Sequence, residues 1–260
     1  MNWEVRIMRS KTSCFNGTLF KKNLSRYWPL WGLASFGGAM FPLAMLVNLL
    51  HDGFQLWSPL ETRQAYYTVL SYGVPVISIV YAILCAMAVW SYLYNARSVG
   101  LMHTLPIRRE GLFLTNYLSG LLFLLLPNLA VFLLALAAEV FAGTVVFSSL
   151  FTWLVVVSLF GLFFYSFAVF CAMFTGHVLA LPAFYVVLNG LAAGLCWVFS
   201  RMAEEFLFGF TSAAWLEKLG VWLTPVLLLS EACHVQYDTI TDAAGNSMLG
   251  DPYFAGLGYA

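Results

Sequence analysis

NARSVGLMHTLPIRREGLFLTNYLS, Asn95 to Ser119, is a short polar island between two long apolar runs, and it holds three of the chain's twelve basic residues. A basic loop between two membrane-length segments belongs on the cytoplasmic side. Asn95 to Thr104 has the length for about three turns of helix. Pro106 ends that helix, and Arg108, Arg109 and Glu110 follow at the water interface. No clean apolar stripe runs along it: Val99 and Met102 share one face, Leu101 and Leu105 another. The loop is rich in groups another protein can grip; on composition alone, an ordinary positive-inside loop is the favoured reading.

Outward from this island the chain is greasy. Of its 260 residues, 62% are hydrophobic and 9% charged, and the mean hydropathy is +0.84, a composition outside the range of soluble domains. Formal charge balances at zero, so only its distribution is informative, and no nucleic-acid partner is expected. A hydrocarbon core of about 30 Å takes about 20 apolar residues as helix. Five runs are long enough: Trp28 to Leu50, Val69 to Tyr94, Leu112 to Ala138, Leu150 to Phe174 and Val178 to Phe199. A sixth, Val221 to Leu229, is too short to span. The sequence therefore predicts an all-α membrane protein of five full spans. The first run follows a basic head and exceeds a signal-peptide core, so it is expected to be a retained anchor. Five cysteines (Cys14, Cys85, Cys171, Cys196, Cys233) form no CxxC pair. They point to neither a disulfide frame nor a metal site.

Loop charge sets the topology. Residues 1–27 carry six basic residues and the 95–111 loop three, nine on one side; Arg63, Arg201 and Lys218 make three on the other. The N-terminus is thus expected in the cytoplasm, with Thr175-Gly176-His177 a tight cytoplasmic turn and residues 200–253 outside. In the head, Asn16-Gly17 signals a turn and Thr18 can cap a helix. Phe20, Leu24, Tyr27 and Trp31 then fall on one side, with Lys21, Lys22 and Arg26 elsewhere around it, the pattern of a helix lying in the bilayer interface. Pro29 allows a bend into the membrane normal.

Four prolines (Pro42, Pro75, Pro127, Pro182) lie in spans and predict kinks. Gly190 and Gly194 make a small-residue face for close helix approach. Asn128, Ser158, Tyr165 and Asn189 are among the few polar groups in the spans and are candidates either to line a pathway or to bond between helices. No ionisable side chain lies deep in a span, Glu139 being placed at the outer end of the third. That weighs against an ion-coupled pump, and no nucleophile–base pair or metal cluster supports a membrane hydrolase. Beyond Phe199, mixed charges and aromatics suggest helices on the outer surface, with Val221 to Leu229 dipping inward. Residues 230–253 read as loop, and Phe254 to Ala260 as the first turns of a sixth span or a frayed tail.

The stretch LMHTLPIRREGLFLTNYLSG, Leu101 to Gly120, resembles the cytoplasmic loop and following helix of bacterial ABC transporter permeases of the second exporter type. Leu19-Phe20-Lys21-Lys22-Asn23-Leu24 to Trp28 resembles that family's opening interfacial helix, and Leu223-Thr224-Pro225 also fits. The resemblance implies six helices per permease unit, so that the last span lies beyond this chain. It also implies two units side by side, as a homo- or heterodimer in the bacterial cell membrane, each docked on a cytosolic nucleotide-binding subunit. The chain carries no Walker motif, so ATP and magnesium are expected on that partner and none on this chain. By position, the coupling helix is Asn95 to Thr104, with Arg97, Gly100, Leu101 and His103 among its contacts. Leu105, Pro106, Ile107, Arg108 and Arg109 would orient it. An ATP-driven exporter permease is the leading expectation. The alternatives are an ion-coupled carrier or membrane enzyme, for which His103, Glu110 and His177 would have to converge on a metal, and a non-transporting scaffold or sensor whose outer acidic region binds a partner.

Overall fold

The computed structural model describes residues 15–51, 58–72, 74–103, 108–143, 145–208, 214–241 and 247–254. Among the described residues ten helices run in order: α1 (Gly17–Arg26), α2 (Trp28–His51), α3 (Pro59–Tyr72), α4 (Val74–Trp90), α5 (Ala96–His103), α6 (Arg109–Ala142), α7 (Phe147–Phe174), α8 (Ala180–Phe206), α9 (Ala214–Leu223) and α10 (Pro225–Ala232). A 3-10 turn, Ser91–Tyr94, links α4 to α5, and strands β1 (Val235–Thr241) and β2 (Ser247–Phe254) close the chain.

Among the described residues, four segments are long and apolar enough to cross a membrane: Val76–Tyr94, Arg109–Phe141, Phe147–Phe174 and Ala180–Phe206. Large apolar side chains such as Leu133, Leu159, Val186 and Trp197 face outward from them, as lipid rather than water requires. The core is where α2, α4, α6 and α7 meet. Phe123, Leu150, Phe164, Tyr165 and Trp90 are among its fully buried large residues. Two glycines let backbones approach: a Cβ on Gly38 would overlap Val131 across α2 and α6, and one on Gly120 would overlap the Tyr165 phenol. Gly190 and Gly194, expected to serve this purpose, meet nothing within 4 Å.

The bundle has two ends. One carries α1, α5 and the 175–179 turn; the other carries the start of α3, the α6–α7 turn, α9, α10 and the strands. That second end departs most from expectation. Residues 59–72, read partly as loop, form α3 because Ser58-Pro59-Leu60-Glu61 is a capping box. The Glu61 N–H donates to Ser58 Oγ (3.2 Å) and the Ser58 N–H to Glu61 Oε2 (2.8 Å), with proline in the first helical position. Within the 230–253 region, read as loop, α10 runs on to Ala232 and β1 and β2 pair as an antiparallel hairpin with a bulge between Tyr237 and Thr239; residues 242–246 lie outside the described residues. Phe254 ends β2 and so belongs to the hairpin; 255–260 lie outside the described residues. The hairpin sits on α3: Gln64 Nε2 donates to the Leu249 and Gly250 carbonyls (both 3.1 Å), Arg63 pairs with Asp251 (3.0 Å), and Thr68 bonds the Tyr237 hydroxyl (2.8 Å).

Of the four prolines, only Pro42 and Pro127 are interior. Pro75 and Pro182 occupy the first turns of α4 and α8, where a missing N–H breaks no helical bond. They start helices rather than kink them.

Candidate functional site

The α5 end is built from aromatic anchors. Trp90 is buried, stacked on Tyr92 (6.2 Å between centroids) and against Phe113 of α6 (5.1 Å). The Tyr94 hydroxyl bonds the Ala172 carbonyl and Thr175 Oγ1, both at 3.1 Å, fixing the root of the loop to the end of α7. Asn95 is extended and its side chain accepts the Arg97 N–H (3.1 Å), so it caps α5. Beyond that cap α5 packs chiefly on the 3-10 turn. Arg97, Gly100, Arg108 and Arg109 are exposed, and the space around Gly100 is open. Leu105, Pro106 and Ile107 lie outside the described residues, and of Leu101 and His103 only the helical backbone is described.

Helix α1 presents the expected faces. Lys21, Lys22 and Arg26 are exposed, Phe20, Leu24 and Tyr27 half-buried, and Leu19 buried. Its cap is Asn16 rather than Thr18: the Asn16 side chain accepts the N–H groups of Thr18 and Leu19, both at 3.1 Å. Its inner face carries a polar joint to α6 that composition did not disclose. Asn23 Nδ2 donates to Asn116 Oδ1 (2.9 Å) and Ser119 Oγ (3.3 Å), and the Asn16 N–H donates to Thr115 Oγ1 (3.1 Å). Asn116, Thr115 and Ser119 are all buried. Helix α1 is thereby fastened to the first turns of the helix that leaves the α5 loop.

Between α2, the α3–α4 pair, α6 and α7 lies a cavity of about 470 Å³. Phe41, Ile77, Val131 and Trp153 make its walls apolar, while Ser78, Tyr81 and Asn128 add polar atoms. Tyr81 also answers a backbone defect. Proline at 127 leaves the carbonyl four residues back, on Phe123, without its helical donor, and the Tyr81 hydroxyl donates to that oxygen at 2.7 Å.

The four polar candidates do not converge. Asn128 lines the cavity, whereas Ser158 lies on an open apolar groove between α6 and α7. Tyr165 is fully buried, donating to the Tyr117 carbonyl (3.3 Å), and Asn189 donates back to Tyr185 O (3.2 Å) on its own helix. Among the described residues no group of three His, Cys, Asp or Glu side chains is placed to hold a metal. Glu139 lies in the last turn of α6, near the expected end, and is fully buried there, its Oε2 accepting the Val146 N–H at 3.0 Å.

The chain matches no curated protein and no solved structure. Residues 65–235, well over half of it, match the model of a family described as ABC-2 family transporter protein. That match covers the four membrane-length helices, the α5 loop and the cavity walls from α3 to α7, and with them this chain belongs to the ABC-2 transporter family as a multi-pass membrane permease domain.

Proposed function

We propose that this chain is the permease subunit of an ATP-driven exporter in the bacterial cytoplasmic membrane. It works with a second permease and takes its energy from a separate cytosolic ATPase that carries ATP and magnesium. In this reading α2 is a fifth span, α1 lies in the inner interface, and the α5 end faces the cytoplasm. The observation that carries it is the loop between α4 and α6. Helix α5 is capped by Asn95 and rooted by Tyr94, yet leaves Arg97, Gly100, Arg108 and Arg109 uncovered. A rigid root with an open cationic tip is what a docking element needs: the root transmits force and the tip supplies contact.

Closure of the ATPase dimer pushes α5. The push passes through Tyr94 to α7 and through Arg109 into α6, and the Asn23–Asn116 joint carries it on to α1. The walls of the cavity belong to these same helices, so its shape follows.

Replacing Arg108 and Arg109 together by Glu tests the reading. The variant is expected to insert normally and to lose ATPase co-purification or ATP-dependent transport. Unchanged co-purification and transport would overturn the coupling assignment. Cysteine labelling at Ser98 in sealed cells checks orientation independently: labelling by an impermeant reagent from outside contradicts the scheme.

A further inference from the structure

The 470 Å³ chamber has empty space that packing does not require and polar side chains that nothing answers. Helix α2 lines it with Ala34, Gly37, Gly38 and Phe41, the i, i+3, i+4, i+7 spacing of one helical face. Gly38 has a packing reason, since a Cβ there overlaps Val131; a Cβ on Gly37 meets nothing within 4 Å. Glycine inside a helix is destabilising relative to alanine, and at Gly37 it secures no close approach of backbones. What it leaves is room.

Two side chains face that room without partners. Ser78 and Tyr81 of α4 line the chamber, as do Pro127 and Asn128 of α6. The Tyr81 hydroxyl is committed to the Phe123 carbonyl. The hydroxyl of Ser78, a residue only 7% exposed, and the Asn128 amide make no hydrogen bond among the described residues. A helical serine in apolar surroundings ordinarily turns back to the carbonyl four residues earlier, as Ser35, Ser119 and Ser166 do in this chain. Ser78 does not. Buried polar groups of this kind call for a partner inside the cavity. The described lining holds no charged side chain, so an ion entering it would lose its hydration with no counter-charge in return.

The chamber also has a side entrance. Helix α2 packs on α6, and α4 on α6 and α7, with little direct contact between α2 and α4 among the described residues. Gly37 and Ile77 are the exposed members of the lining and stand on these two helices. Beside them in the chain, Phe36 and Met40 of α2 and Val76 and Val80 of α4 are exposed too. Ile77 and Ser78 lie within the membrane-length segment Val76–Tyr94. An apolar rim at that depth meets acyl chains rather than water.

We propose that this chamber binds an uncharged single-chain amphipath that enters sideways from the bilayer between α2 and α4. Its hydroxyl- or amide-bearing head bonds Ser78 and Asn128, and its chain lies against Gly37, Trp153 and Val157. Naming this a loading site for exported cargo rests on the exporter reading, while the binding itself needs neither ATP nor a partner.

The test is photolabelling of the full chain in lipid nanodiscs by decanoylglycerol carrying a diazirine on its acyl chain, with labelled peptides read by mass spectrometry. Saturable labelling within residues 34–41 or 77–81 is expected. Unlabelled decanoylglycerol should compete at least about tenfold better than dodecane, decyl sulfate or decyltrimethylammonium. Gly37→Leu puts its side chain into open space, so it should fold normally and cut labelling at least about fivefold. Ser78→Ala combined with Asn128→Leu should keep the labelling and lose the preference for decanoylglycerol over dodecane. Equal competition by dodecane in the wild type marks a merely apolar chamber and overturns the proposal, as does undiminished labelling of Gly37→Leu. Labelling confined to outward-facing side chains marks surface lipid and overturns it as well. Should the double variant fail to fold, the wild-type competition and Gly37→Leu still decide. Loss of coupling in the arginine variants leaves this assay untouched, so the two readings fail separately.

Discussion

The Tyr81 hydrogen bond gives a thermodynamic prediction whose sign depends on a residue it does not touch. Tyr81→Phe removes the donor held 2.7 Å from the Phe123 carbonyl. A hydrogen bond of this kind contributes about 0.5–1.5 kcal/mol net, with a membrane average of about 0.6. In the native background the loss falls on a carbonyl that Pro127 has already deprived of its helical donor, so a cost near 1 kcal/mol is expected. In a Pro127→Ala background the alanine N–H restores the bond from residue 127 to residue 123. The same Tyr81→Phe change should then cost under about 0.3 kcal/mol. The difference, roughly 0.5–1 kcal/mol, is the coupling energy of a double-mutant cycle. Reversible unfolding in mixed micelles, titrated with SDS and followed by far-UV circular dichroism, measures all four proteins. An equal cost in both backgrounds, or none in the native one, refutes the pairing of the phenol with the proline-freed carbonyl.

Other outcomes follow from the packing. Gly120→Ala places a methyl into the Tyr165 phenol, with Cε2 only 2.8 Å away; it should destabilise by about 1–3 kcal/mol, and adding Tyr165→Leu should recover most of that in thermal melts. Asn23→Leu removes the bonds to Asn116 and Ser119; hydrogen exchange should rise across residues 17–26 while α7 stays protected. Arg63→Ala breaks an exposed pair with Asp251, so hairpin stability should change by less than about 1 kcal/mol and the change should vanish near 1 M salt. Gln64→Ala, which frees two β2 carbonyls, should loosen the hairpin more than that, read by proteolysis between the strands.

What the sequence disclosed tracks the range of the interaction involved. Long apolar runs and the lopsided placement of Lys and Arg are local, so the membrane-length helices, the exposed cations of α1 and the helix at Ala96–His103 were all legible. The α3 cap was legible too, in Ser58-Pro59-Leu60-Glu61, but its apolar residues are too mixed to announce a helix. The strands were hidden by composition: Asp, Gly and Pro around residues 238–252 outweighed the β-branched Val235, Thr239, Ile240 and Thr241. Partners far apart in sequence left no trace. Nothing in Asn23 points to Asn116, nor in Tyr81 to the oxygen of Phe123, and only the folded bundle brings them together. Glu139 was read at the end of its span, where the structure has it, but its burial was not legible, because proximity to a helix end says little about whether a neighbouring element covers it.

Helix α6 is 34 residues long, or about 51 Å, against a hydrocarbon layer of about 30 Å. Even a lean of about 40°, the top of the usual range, leaves roughly 39 Å along the bilayer normal. Some 9 Å or more of the rod therefore stands among headgroups or in water. Its opening turns, from Arg109 through the polar Thr115 and Asn116, are suited to that overhang. Long-chain phospholipids would draw those turns, with α1 stapled to them, toward the acyl region, and short-chain ones would release them. Acyl-chain length thus becomes a dial on the joint between the two helices, adjustable without touching a single residue.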